Sequence, residues 1–306
     1  MNLKLSDISI FEKLDFLTKQ VVEGFITGLH KSPYHGFSIE FSEHKIYNAG
    51  ESTRHIDWKV YAKTDRLYTK RYEEETNLRC NIVIDTSSSM FYPQHKDSSK
   101  INFSIFAAAC ISYLCQKQRD GFGLTFFNKD IVYQSEIKSS AAHLHKMLTQ
   151  LNSLASNPES INNSTHITQT LEYLAGTLHK RSLIVLFTDM FDANSTEEQT
   201  DRLFNSLAHL KHQKHEVIIF NVYDFSTEIN FEFEEKPYTF VDIESGEKIK
   251  LVPSQIKETY QKEVLKYLNE LKYRCEQYKI SLVDIDINDN WQKLLLSFLL
   301  KRSKMK

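Results

Sequence analysis

The stretch IVIDTSSSM, residues 82–90, runs three apolar β-formers into Asp85 and then places hydroxyls at alternate positions, Ser87 and Ser89. Alternate residues of an extended turn point the same way, so one carboxylate and two hydroxyls can converge on one point. A second apolar run, LIVLFTD, also ends on a carboxylate, Asp189. Thr165 lies between them in NNSTHITQTL, just ahead of a predicted helix. In open parallel sheets, ligands bind outside the carboxyl ends of the strands. If the two strands are neighbours, Asp85 and Asp189 face each other across one crevice, within reach of the Thr165 hydroxyl. Two carboxylates and three hydroxyls are hard oxygen donors, with no thiolate or imidazole among them. Such a set suits Mg²⁺, with Mn²⁺ or Ca²⁺ as alternatives, and disfavours zinc and copper. Two carboxylates cannot fill an octahedral shell, so the ion keeps an open position that a partner's carboxylate can take. That would be ion-dependent binding without chemistry.

Other readings of these residues fit less well. A phosphate-binding P-loop needs a glycine-rich turn ending in Gly-Lys-Ser/Thr, and the chain has none. A nucleophile elbow needs Gly-x-Ser-x-Gly, also absent. An aspartyl phosphotransferase would want a second carboxylate two residues after the first, where Ser87 stands. A metal-dependent phosphohydrolase using Asp85 and Asp189 is the enzymatic alternative. It would add a positioned base, and no His or Glu adjoins either motif. The plainest alternative is that Asp85 and the serines only cap the following helix.

The elements that must hold these residues are legible from residue 80 onward. The strand CNIVID leads to a helix over 100–118, then GFGLTFF with a short partner in DIVYQ. Helices follow near 140–152 and 166–179, then the strand SLIVLFTD, a helix near 196–212 and the strand HEVIIFNVY. A hairpin, TFVDIESGEKIKLV, precedes a helix over 254–279, the strand ISLVDIDI and a closing helix, WQKLLLSFLLKR. Near-continuous Val, Ile and Leu mark strands buried on both faces of a parallel sheet. The alternation predicts an α/β fold with a doubly wound, mostly parallel sheet. Ahead of it, residues 7–29 carry apolar side chains at helical spacing, and LYTKRYEEE alternates like an edge strand. The expected organisation is an accessory N-terminal segment over 1–79 and a main domain over 80–302, with the hairpin inserted at about 226–252.

Bulk properties narrow the function classes. The 306 residues are 41% apolar and 25% charged, ordinary for a globular protein with a sizeable core. A formal net charge of −2 supplies no basic field for nucleic acid. The four cysteines form no CxxC pair, which argues against structural zinc and fits a reducing compartment. The N-terminus lacks a signal-peptide core, and the longest helical apolar run, INFSIFAAACISYLC, is too short to span a bilayer. A cytoplasmic protein is expected.

The Asp85, Ser87, Ser89, Thr165 and Asp189 pattern resembles a von Willebrand factor A domain with its metal-ion-dependent adhesion site. Upstream, HKSPYHGFSIEF and GESTRHIDWKVYAKTDRLYTKRYEEE, with the later DIESGE, resemble the signature of the domain-of-unknown-function 58 family. Its form is close to Gly-Glu/Asp-x-x-Arg-x-Ile-Asp-Trp followed by Ala-Arg-x-x-x-Leu-x-x-Lys. Gly50, Glu51, Arg54, Ile56, Asp57, Trp58, Ala62, Leu67 and Lys70 match it, and Lys63 replaces the arginine. Asn163-Ser164 stands where relatives carry Gly-Gly. The resemblance implies a non-enzymatic adaptor of a MoxR-type AAA+ ATPase, acting in chaperone-like maturation of other proteins. It also implies that the serines and Thr165 bind Mg²⁺ directly or through water, and that the aspartates act mostly through water.

Two further groups stand out. Arg54, Asp57 and Trp58 are candidates for partner binding, against the alternative that Trp58 packs the N-terminal segment onto the sheet. His209, His212 and His215 recur every third residue beside Lys211 and Lys214, and are expected to form a solvated helix end rather than a metal site.

Overall fold

A computed structural model describes residues 14–30, 44–46, 61–63, 67–70, 78–93, 99–156, 166–190, 197–243, 246–289 and 291–303. The ordered elements begin with α1 (Leu14–His30), β1 (His44–Ile46), a helical turn α2 over 61–63 and β2 (Tyr68–Lys70). The alternating part follows: β3 (Arg79–Asp85), α3 (Lys100–Lys117), β4 (Gly121–Phe127), β5 (Ile131–Gln134), α4 (Ala141–Ser156), α5 (Ile167–Thr177), β6 (Leu183–Thr188), α6 (Glu197–His212) and β7 (Glu216–Tyr223). The hairpin β8 (Tyr238–Val241) and β9 (Lys248–Leu251), then α7 (Pro253–Gln277), β10 (Ser281–Asp286) and α8 (Trp291–Ser303), complete the chain.

Six strands form the central sheet in the order β10-β7-β6-β3-β4-β5. All neighbours are parallel except β5, which pairs antiparallel with β4 at the edge. Counted within the sheet, this is the doubly wound order 3-2-1-4-5-6, whose direction of winding reverses between the first and fourth strands. Those strands are β3 and β6, paired from Cys80↔Leu183 to Ile84↔Phe187. The expected fold class, an α/β fold with a doubly wound, mostly parallel sheet, therefore holds.

Alternation along the strands divides the core in two. Ile82 and Ile84 join the cluster under α1, α3, α4 and α8, while Val83 joins the one under α5, α6 and α7. The mostly apolar helix α3 is buried along most of its length because α1, α4 and α8 pack against it. Leu14, Leu17 and Val22 of α1 share its core, and Tyr113 donates to Glu23 at 3.1 Å. Phe187 and Phe220 stack 5.1 Å apart on this face, beneath the carboxyl ends of β6 and β7. Phe187→Ala is expected to cost about 3–5 kcal/mol, read from urea unfolding, because the sheet cannot collapse into the space.

The predicted strand in LYTKRYEEE appears as β2, but it pairs with β1 in a separate two-stranded sheet. The hairpin β8–β9 likewise forms its own sheet, with Gly246 at φ +76° between its strands. Phe231 packs beneath it against Tyr260 of α7 and Phe240 of β8. Among the described residues no helix is long and apolar enough to cross a membrane. All four cysteines are buried and unpaired by disulfides.

His215 departs from expectation. It is fully buried, and its Nδ1 accepts the Ser182 backbone N–H at 3.3 Å. The α6 helix ends at His212, and the turn before β7 carries His215 inward while His209 and His212 stay exposed.

Candidate metal centre

The centre lies at the switch point, where β3 and β6 end side by side. Asp85 closes β3 and is fully buried. Its Oδ1 accepts the Ser87 backbone N–H at 2.9 Å, and its Oδ2 accepts the Thr188 hydroxyl at 3.0 Å. The first bond folds the chain back over the strand end and brings the alternate serines together, with Ser87 Oγ and Ser89 Oγ 3.1 Å apart. Thr86 anchors the loop to the next strand by donating both its N–H and its hydroxyl to the Phe127 carbonyl. A 3₁₀ turn, Ser88–Phe91, then leads away.

Asp189 follows β6 and is almost fully buried. Met190 beyond it takes the left-handed φ of 40°. Its N–H donates to Thr188 Oγ1 at 3.3 Å and its carbonyl accepts the Tyr267 hydroxyl of α7 at 2.5 Å. The chain turns sharply there and leaves Asp189 at the strand end.

Electrostatics at this point are unusual. Burial, and next the Asp189 charge, push the Asp85 carboxyl from 3.8 up to about 7, against the pull of the Ser87 and Thr188 hydrogen bonds. Two buried carboxylates facing one another lack positive charge. Lys100, the first residue of α3, supplies one unit of it. Its ammonium, 1% exposed, lies 3.0 Å from Asp189 Oδ2 and 2.6 Å from Glu228 Oε1. Burial works to lower the Lys100 pKa, but the two carboxylates outweigh it and hold the group protonated. Glu228 comes from a π-helical turn, Phe225–Ile229, directly after β7. Burial raises its pKa, and Lys100 opposes the rise.

Four of the five residues predicted to hold the ion, Asp85, Ser87, Ser89 and Asp189, thus gather around one strand-end crevice. Thr165 lies outside the described residues, although the adjacent His166 N–H is fixed to the Asn128 carbonyl at 3.1 Å. Arg54, Asp57 and Trp58 also lie outside them. No group of three or more His, Cys, Asp or Glu side chains suited to a metal occurs among the described residues. The available set is therefore two carboxylates plus hydroxyls. It fits a hard divalent ion: the donors are oxygens, and the repulsion that raises the Asp85 pKa is what a cation would relieve.

Thr188, Lys100 and Glu228 escaped the sequence reading. Lys100 carried a signal: a lysine opening an apolar helix opposes the helix dipole and asks for a nearby carboxylate. Thr188 is adjacent to the aspartate it serves. Glu228 carried none, because nothing local ties FSTEI to a site built from β3 and β6.

A doubly wound sheet with Asp-x-Ser-x-Ser at its switch point is the arrangement expected from the resemblance to a von Willebrand A domain. Residues 43–268 match the family described as "Protein of unknown function DUF58", and the chain belongs to that family. Uncharacterized proteins of Mycobacterium tuberculosis and Mycobacterium bovis are each 22% identical over 176 residues, 58% of this chain and 55% of theirs. The chain therefore spans about half the length of the curated relatives it matches. Among solved structures, the conserved hypothetical protein BatB from Bacteroides thetaiotaomicron aligns with 74% of this chain and 98% of its own, at 16% identity and a TM-score of 0.46. The SpRpn10 VWA domain aligns with 72% of this chain and 94% of its own, at 11% identity and a TM-score of 0.37. These likenesses are distant, and the fold assignment stands on the sheet order.

Proposed function

We propose that this protein is a cytoplasmic, non-enzymatic adaptor that binds a protein partner through a Mg²⁺-dependent site, with Mn²⁺ or Ca²⁺ as alternative ions. The carrying observation is the convergence of Asp85, Ser87 and Ser89 with Asp189 at the switch point of the sheet. In this proposal Thr165 completes the donor set, and an acidic side chain of the partner takes the open position. Resemblance to the family's signature supports a MoxR-type AAA+ ATPase as the partner and chaperone-like maturation of other proteins as the task. Arg54, Asp57 and Trp58 are proposed as a second contact with it. Lys100, held protonated by two carboxylates, has no lone pair and does not serve as a general base at this centre.

A pull-down from native cytosol tests this, with wild type in Mg²⁺, wild type in EDTA and Asp85→Asn in Mg²⁺ as baits. An AAA+ ATPase is expected with the first bait alone. Equal capture by all three would remove the metal loop from the interface. Phosphoester turnover that disappears in Asp85→Asn would replace the adaptor with an enzyme.

A further inference from the structure

Lys100 is an expensive residue to place where it is. It is fully buried at the first position of α3, where the helix dipole repels a cation, and no acidic residue occupies the first turn. The surroundings are built to keep it there. Glu228 takes the ammonium with Oε1, while its Oε2 accepts the Asp224 N–H at 2.7 Å and its carbonyl accepts the Tyr260 hydroxyl at 2.8 Å. Tyr92 donates to Thr227 Oγ1 at 2.9 Å and presents its ring 5.8 Å from the ammonium, tying the metal loop to the same turn. The Lys100 N–H in turn donates to the Tyr92 carbonyl at 3.0 Å.

The geometry points to Lys100 as a tethered cation of the metal centre, held by Glu228 on one oxygen of Asp189, that sets how tightly the centre takes a divalent ion. This rests on the metal-centre assignment above and deepens it. Asp85, Asp189, Glu228 and the buried Asp224 set against Lys100 leave an excess of negative charge that a divalent ion would offset. The ammonium occupies Asp189 Oδ2 and repels an incoming dication, while Glu228 offsets part of that repulsion. Affinity is therefore held down, and the turn after β7 is linked electrostatically to occupancy of the ion site.

Charge deletions on the two sides of this pair should act in opposite directions. Lys100→Met removes the competing cation and should tighten Mn²⁺ binding roughly tenfold or more, given the strength of a buried charge interaction. Glu228→Gln leaves Lys100 to Asp189 alone and should weaken binding by a similar roughly tenfold factor. Lys100→Met/Glu228→Gln removes one charge of each sign, keeps the net charge around the centre at its wild-type value, and should return affinity toward wild type, well above that of Glu228→Gln. Mn²⁺ affinity is measured on the full chain by titration calorimetry, with circular dichroism confirming the fold. Should Lys100→Met prove unfolded, comparison of the double variant with Glu228→Gln decides the matter. Equal affinity across all variants, or weakening in every one, overturns the role of Lys100 and leaves the metal centre standing. Absence of binding in wild type and every variant, or binding undiminished in Asp85→Asn, overturns the metal centre itself and the role of Lys100 with it.

Discussion

Mg²⁺ is expected to raise the melting temperature of the wild type and Asp85→Asn to abolish that rise, with no loss of stability in metal-free protein at pH 8. At about a hundred times its dissociation constant a ligand stabilises by about 2.7 kcal/mol, or roughly 5–10 °C for a domain of this size. The substitution should remove all of it, because Asp85 lies at the centre of the donor set. Metal-free stability is preserved for a different reason. Above pH 7 Asp85 is a buried anion facing another carboxylate, and the amide relieves both the desolvation and the repulsion. The amide oxygen still accepts the Ser87 N–H, and the amide nitrogen can donate to Thr188 Oγ1. Asp85→Ala behaves differently. It leaves the Ser87 N–H and the Thr188 hydroxyl without their acceptor inside the protein, a cost of about 1–3 kcal/mol for each such group. Thermal scans with and without Mg²⁺ on both variants separate the two effects. A persisting Mg²⁺ shift in Asp85→Asn would place the ion elsewhere.

What sequence reveals about this centre follows from how local each contribution is. The strands β3 and β6 are apolar runs ending in aspartate, and a strand end in a doubly wound sheet is where ligands go. Asp85, Ser87, Ser89 and Asp189 are legible for that reason. The hydrogen bond from Ser87 to Asp85 spans two residues, so the motif nearly carries its own geometry. Glu228 is different. It reaches the centre only because β7 lies next to β6 and the chain makes a π-helical turn after Tyr223. No periodicity encodes that turn, and residues 226–229 fall at the start of the region expected to be the inserted hairpin. His215 is misread for a related reason. Its spacing from His209 and His212 continues the helix, whereas the helix stops at His212 and Lys214 takes a left-handed φ of 66°. A single residue in that region of the map redirects the next side chain into the core.

Proton release should accompany ion binding. The Asp85 carboxyl has a folded-state value of about 7 against 3.8 when unperturbed, so between roughly pH 4 and 7 the metal-free native state holds a proton that the unfolded chain has lost. Its contribution to stability therefore falls as pH rises through that window and levels off above about 7, a loss on the order of a few kcal/mol. A bound dication keeps the carboxylate ionised, so the native state no longer holds the proton and this slope disappears. Stabilisation by Mg²⁺ should then be small near pH 5 and complete near pH 8. His143 and His215 work in the opposite direction. Burial lowers both, so each destabilises the native state on acidification below its ordinary range. Neither is altered in Asp85→Asn, so subtracting that variant's pH profile from the wild type's isolates Asp85. Calorimetry of Mg²⁺ binding in buffers of different ionisation enthalpy should report close to one proton released per ion near pH 6 and little at pH 8. Release that does not change with pH, or a wild-type profile that matches Asp85→Asn, would mean that the charge relieved on binding is not that of Asp85.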